Sequence, residues 1–154
     1  MLFHKLAATV FGIGYLGKGV GTIAAFFACV CWYLLWHNQP MVAPPILLTL
    51  FIIALGIWSG NMVEPIWGKD HNRVVIDEVA GMFISLLFVP VAIPYIIIAF
   101  ILFRFFDILK PLFIKKMEKL PGGWGVMMDD ILAGVYANIL LQLIIWLDLL
   151  NVKI

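Results

Sequence analysis

The sequence predicts an all-α fold: a polytopic membrane bundle of about five transmembrane helices with a short interfacial helix at the N-terminus, residues 1–154 forming a single integral-membrane domain. Three observations predict it. Hydrophobic residues make up 64% of the chain and charged residues 12%, against about 45–50% and about 25% in a soluble domain. The mean hydropathy is +1.09, more apolar surface than a domain of this size can withdraw from water. Uncharged runs alternate with short connections that carry the charges. The same composition excludes intrinsic disorder. A net charge of +1 offers no bulk attraction to nucleic acid, so no such partner is expected.

The elements follow in order. Leu2, Phe3, Leu6, Ala7 and Val10 fall on one helical face, the pattern of an interfacial helix over 2–11 whose implied role is packing. A secretory signal peptide is disfavoured there, because the apolar run continues past any small-residue cleavage site. Segment 12–22, "GIGYLGKGVGT", is glycine-rich but lacks the Gly-Lys-Ser/Thr ending of a nucleotide-binding loop. The first span is Val20–Trp36. Its Cys29 and Cys31 face opposite sides of a helix, so they are packed free thiols rather than a disulfide. The second span is 46–62, after the turn marked by Pro40, Pro44 and Pro45. The third is the short run 79–88, which extends back through Val74 if Asp77 and Glu78 lie on the helix. The fourth is 91–103, after the turn at Pro90 and Pro94, and the fifth is 131–147. A bilayer core takes roughly 20 mostly apolar residues per helix; the third run is short, and the fourth runs on into "RFFDILK".

The charges test this count. Five spans place every Lys and Arg except Lys153 on one side, as the positive-inside rule requires. The N-terminus is therefore expected in the cytoplasm, and the protein as multi-pass in the cytoplasmic membrane. Every acidic residue except Asp148 lies on that same side.

Chemistry is expected where the acids gather. In "VVIDEVAGMFIS", Glu78 shares a helical face with Gly81, Met82 and Ser85, and Asp77 one with Ala80 and Gly81. In "MMDDILAGVYAN", Asp130 shares a stripe with Ala133, Gly134 and Ala137, with Asn138 close by. Small residues let a neighbouring helix or ligand approach. Converging carboxylates repel unless a cation lies between them or one takes a proton. With no Cys/His zinc spacing, the metal reading is oxygen-ligated Mg²⁺ or Mn²⁺. The alternative is that the acids cap helices and pair with nearby Lys and Arg.

"FRFFDILKP" spaces Arg104, Asp107 and Lys110 three apart before Pro111 stops the helix. Two readings are open: snorkelling cations with an intrahelical ion pair, or a phosphate clamp of Arg104 and Lys110 with Asp107 as metal ligand or nucleophile. The turn 121–125, "PGGWG", either brings backbone N–H groups to a phosphate or is simply tight. His71, after Asp70 in the same loop, is either solvated or a general acid/base.

Three blocks, "KDHNRVVIDEVAGM", "FRFFDILKP" and "GGWGVMMDDILAGVYAN", together closely resemble the phosphatidylglycerophosphatase A family. The resemblance covers most of the chain. The N-terminal block departs from the family pattern, with Val20 before Gly21-Thr22 and Ala24 and Ala25 after. The resemblance implies a multi-span membrane enzyme that uses Mg²⁺ to hydrolyse phosphatidylglycerophosphate to phosphatidylglycerol and phosphate. It maps the family's acidic positions onto Asp70, Asp77, Glu78, Asp107, Asp129 and Asp130, and its basic positions onto Arg104 and Lys110.

On that reading the catalytic residues are Asp77, Glu78, Asp107, Asp129 and Asp130. The metal ligands come from Asp70, Asp77, Glu78, Asp129 and Asp130. The substrate, a phospholipid in the membrane, is bound by Arg104, Lys110, Lys69 and His71. The attacking group is water activated by the metal, or Asp107 through an aspartyl-phosphate. A divalent-cation transporter or channel using the same carboxylates is the alternative, although the apolar outer half offers it no continuous charged route.

Overall fold

The computed structural model describes residues 1–39, 42–69, 71–147 and 149. Among these are seven α-helices, one 3-10 turn and no strand. The helices are α1 Leu2–Ala8, α2 Val20–Trp36, α3 Ala43–Trp67, α4 Ile76–Leu86, α5 Ile93–Leu109, α6 Ile114–Met117 and α7 Gly122–Trp146, with the 3-10 turn at Ile13–Tyr15. Helices α2, α3, α4, α5 and α7 form the bundle, each running opposite to the one before it. The starts of α2, α4 and α7 and the ends of α3 and α5 share one end, which carries the charges.

Local sequence sets the boundaries. Pro44 and Pro45 sit in the first turn of α3 and Pro94 in that of α5, where the missing N–H has no partner to lose. Gly68 closes α3 at φ 90°. At the end of α5, Lys110 takes a left-handed φ of 44° immediately before Pro111, which cannot continue the helix.

The short α4 is the axis of the bundle. It packs against α2, α3, α5 and α7, and all but two of its residues are buried. Glycine makes that contact close: a Cβ on Gly134 of α7 would overlap the Gly81 carbonyl of α4, and one on Gly81 would strike the Phe103 ring. Helix α3 meets α7 in the same way, where a Cβ on Gly60 would lie 2.9 Å from Gly123 Cα. Ser85 Oγ donates to Gly81 O at 2.9 Å and to Gly134 O at 3.4 Å. Helix α4 stops within the apolar bundle, and its last carbonyls find a donor there. Asn138 Nδ2 of α7 donates to Ser85 O at 3.1 Å and Leu87 O at 2.8 Å, groups that would be costly to leave unpaired away from water.

The outer faces are apolar. Phe26, Leu34, Leu47, Phe51, Ile101 and Ile139 are all exposed, an arrangement that water would penalise and lipid would not. Helices α3 and α7, of 25 residues each, are long and apolar enough to cross a membrane. At about 1.5 Å per residue, α2 and α5 reach about 25 Å and α4 about 16 Å. The expected span 46–62 lies inside α3. The expected span 131–147 is the later part of α7, which begins at Gly122. The third expected span is the short α4, on which Asp77 and Glu78 do lie. Helix α1 is more than an interfacial strip. It packs on α3, with His4 buried, its Nδ1 3.3 Å from Ser59 Oγ and its ring 4.7 Å from that of Trp58.

Candidate active site

Five acids reach one cavity at the charged end. Asp77 and Glu78 come from the first turn of α4, where a helix N-terminus favours negative charge. Asp107 comes from the last turn of α5, and Asp129 and Asp130 come from α7. All five line a cavity of about 720 Å³ together with Arg104, Lys110 and His71. Asp77, Asp107, Asp129 and Asp130 are buried, each 8% exposed or less. Asp129 and Asp130 lie about two turns inside α7, which begins at Gly122, so the helix-capping reading does not apply to them.

Arg104 Nη1 donates to Glu78 Oε2 and forms an ion pair with Asp107 Oδ2, both at 2.6 Å. Arg104 Nε is buried and has no hydrogen-bond acceptor among the described residues. The expected i,i+3 spacing thus yields an Arg104–Asp107 pair. It yields no Asp107–Lys110 pair, because the left-handed turn swings Lys110 off the helix axis. Lys110 Nζ instead donates to Asp129 Oδ2 at 2.7 Å and Glu118 Oε1 at 2.6 Å. Burial works against its ammonium, but these two acids outweigh burial and hold its pKa above the ordinary lysine value. The Glu78 N–H donates to Asp77 Oδ1 at 3.0 Å.

One oxygen each from Glu78, Asp107 and Asp130 lies within 4.8 Å of the others. Five carboxylates facing two inner cations leave excess negative charge, and an all-oxygen donor set suits a hard divalent cation. The residues therefore fit Mg²⁺. This set includes Asp107, for which the sequence left open the roles of metal ligand and nucleophile, and it does not include Asp77 or Asp129. Asp70 lies outside the described residues. Lys69 is exposed and outside the cavity lining, after the turn that Gly68 makes at the end of α3.

The glycines of the site are also not those expected from 121–125. Gly122, Gly123 and Gly125 belong to the first turn of α7 and serve packing. A Cβ on Gly123 would overlap Ile57 O, and the Gly123 N–H donates to Asn61 Oδ1 at 2.7 Å. The cavity wall is built instead from Gly14, Gly17, Gly19 and Gly21. Gly21 brings α2 against the acids so closely that a Cβ there would overlap Glu78 Oε1. Sequence reasoning also missed Lys18 and Arg73, which line the mouth. The available signal was a cation two residues after His71 and another inside the glycine-rich segment.

An apolar helical bundle with a carboxylate, arginine and lysine cluster at one end defines a membrane-associated enzyme with a charge-dense site. The Phosphatidylglycerophosphatase A family model matches residues 6–145, and two relatives carry the same name. The chain belongs to the phosphatidylglycerophosphatase A family and is a phosphatase. It is 32% identical over 137 residues to a phosphatidylglycerophosphatase A of Escherichia coli, covering 84% of this chain and 76% of the relative. It is 51% identical over 72 residues to one of Haemophilus influenzae, 46% of this chain and 44% of that one. A Bacteroides thetaiotaomicron protein, provisionally named a phosphatidylinositol-3-phosphatase, is 46% identical over 148 residues and 92% of each chain. No solved structure matches the chain.

Proposed function

We propose that this protein hydrolyses the terminal phosphate of phosphatidylglycerophosphate, giving phosphatidylglycerol and inorganic phosphate in phospholipid biosynthesis, with Mg²⁺ as cofactor. The observation that carries the reading is the convergence of five carboxylates with Arg104 and Lys110 in one cavity at the end of an apolar bundle. Such a cavity offers the phosphate a charged end while acyl chains stay among the exposed apolar faces. The whole chain acts as one multi-pass domain of the cytoplasmic membrane, its five passes counting the short α4 together with the non-helical 87–92 that follows it, and the site lies on the cytoplasmic side, in line with the positive-inside distribution.

Glu78, Asp107 and Asp130 would hold the metal, with Asp77 and Asp129 completing its surroundings. Bound there, Mg²⁺ would polarise the phosphoryl group and lower the pKa of a water. On this reading Asp107 serves the metal, and water is the attacking group. Its oxygen bonds to phosphorus, the phosphorus–ester oxygen bond breaks, and the freed glycerol oxygen takes the proton that the water gives up. Arg104 and Lys110 offset the charge on the transferring group. His71 on the cavity wall binds rather than protonates: its Nδ1 accepts the Arg73 N–H at 3.2 Å, so the neutral ring offers its Nε2–H to a phosphate oxygen.

A second reading, a phosphoinositide 3-phosphate as substrate, is favoured by the name of the relative that covers 92% of the chain. A transporter has no comparable support: every described Lys, Arg, Asp and Glu lies at the site end of the bundle. The test is phosphate release by purified protein from phosphatidylglycerophosphate, phosphatidylinositol 3-phosphate and phosphatidate, each with Mg²⁺. Fastest turnover of the first is expected. Fastest turnover of the second would move the reading to phosphoinositides, and no release from any would overturn it.

A further inference from the structure

Arg73 differs from the two inner cations of the cavity. It is exposed, on the connection between α3 and α4, and lines the mouth of the same cavity whose other end holds the buried acids. Its backbone is fixed on several sides. Its N–H donates to His71 Nδ1, and the Val75 N–H donates to Ala8 O at 2.9 Å. The 3-10 turn lies flush against it, since a Cβ on Gly14 would overlap the Arg73 carbonyl. The guanidinium carbon lies 5.2 Å from the Tyr15 ring centroid and 6.0 Å from that of Trp67, and those two rings meet edge to face at 6.3 Å.

Among the described residues no carboxylate pairs with Arg73, whereas Arg104 and Lys110 are each tied to two. An arginine held against aromatic rings is oriented in advance, and its planar N–H fork is free for an oxyanion. Tyr and Trp side chains at a bundle end mark the headgroup layer of a membrane. Lipid phosphodiesters lie at that level.

Resting on the lipid-phosphatase reading, we infer that Arg73 is a specificity-determining residue. It binds the phosphodiester of the lipid headgroup while the terminal phosphomonoester occupies the carboxylate end of the cavity. A cavity of about 720 Å³ is of the size that takes a whole small ligand. Both lipids discussed above carry a diester linked to a more distal monoester, so one spacing of cation and acid cluster serves either. Phosphatidate carries no diester, and Arg73 discriminates against it.

The test is calorimetric binding of two soluble headgroups to the full chain in lipid nanodiscs. Glycerophosphoglycerophosphate carries diester and monoester, and glycerol 3-phosphate carries the monoester alone. Wild type is expected to prefer the first by roughly ten-fold or more, the scale of a charge-assisted contact. Arg73→Gln should erase most of that preference and leave glycerol 3-phosphate affinity unchanged. Tyr15→Leu, which keeps the charge but removes one supporting ring, should fall between. A preference that survives Arg73→Gln, equal weakening of both ligands, or no preference in wild type overturns the assignment. Wild-type protein that binds neither headgroup overturns the lipid-phosphatase reading, and the assignment with it.

Discussion

Gly21 is the position where one added carbon does the most harm to the site. Its Cβ would overlap Glu78 Oε1, and Glu78 cannot retreat without breaking its 2.6 Å bond to Arg104. Gly21→Ala is therefore expected to lower kcat/KM by roughly ten-fold or more, since small misplacements at reacting groups have large effects. The protein should still fold, and near-wild-type kinetics would show that Glu78 has no positional role. Arg104 permits a second test. Its Nη1 meets both Glu78 and Asp107, and the rest of its planar guanidinium offers a transferring phosphate further N–H groups that a lysine ammonium does not reproduce. Arg104→Lys should cut kcat/KM by roughly tens-fold, about 2 kcal/mol, beside an unchanged Lys116→Ala control. If Arg104 only anchored the helix end in the headgroups, both variants would run at the wild-type rate.

Helix α4 is held at its two ends by different chemistry. Its first turn supplies Asp77 and Glu78 to the cavity, and its last carbonyls depend on Asn138. Asn138→Leu removes two hydrogen bonds from an apolar surrounding and should lower stability by about 1–3 kcal/mol, read as a fall in the thermal midpoint in detergent. An unchanged midpoint would mean the carbonyls find other donors. Which helices carry the chemistry was legible in the sequence, because acid pairs followed by small residues are rare in apolar helices and mark close approach. Where those helices begin was not. Gly122 to Gly125 read as a turn by glycine's local preference, yet tertiary contact with α3 makes them the first turn of α7. That places Asp129 and Asp130 inside the helix. Lys110 kept its helical spacing on paper but left the helix in a left-handed turn. Arg73 was visible only as one cation among many, since no local pattern brings Tyr15 and Trp67 to it.

For the molecule as a whole, the account requires the charged end of the bundle to face the cytoplasm. Single cysteines at Lys116 and Asn38, in a background lacking Cys29 and Cys31, should react oppositely with a membrane-impermeant thiol reagent in intact cells. Asn38→Cys should be labelled and Lys116→Cys protected until the membrane is opened. The reverse pattern would invert the topology. The central claim, that the five-carboxylate cavity is a Mg²⁺-dependent phosphatase centre, is tested most directly by one titration. Mg²⁺ is added to chelator-treated wild-type and Asp130→Asn proteins while phosphate release from phosphatidylglycerophosphate is followed. The account predicts no turnover before Mg²⁺, full recovery in wild type, and little in Asp130→Asn although that variant remains folded. Full turnover in chelator, or wild-type recovery in Asp130→Asn, would contradict it.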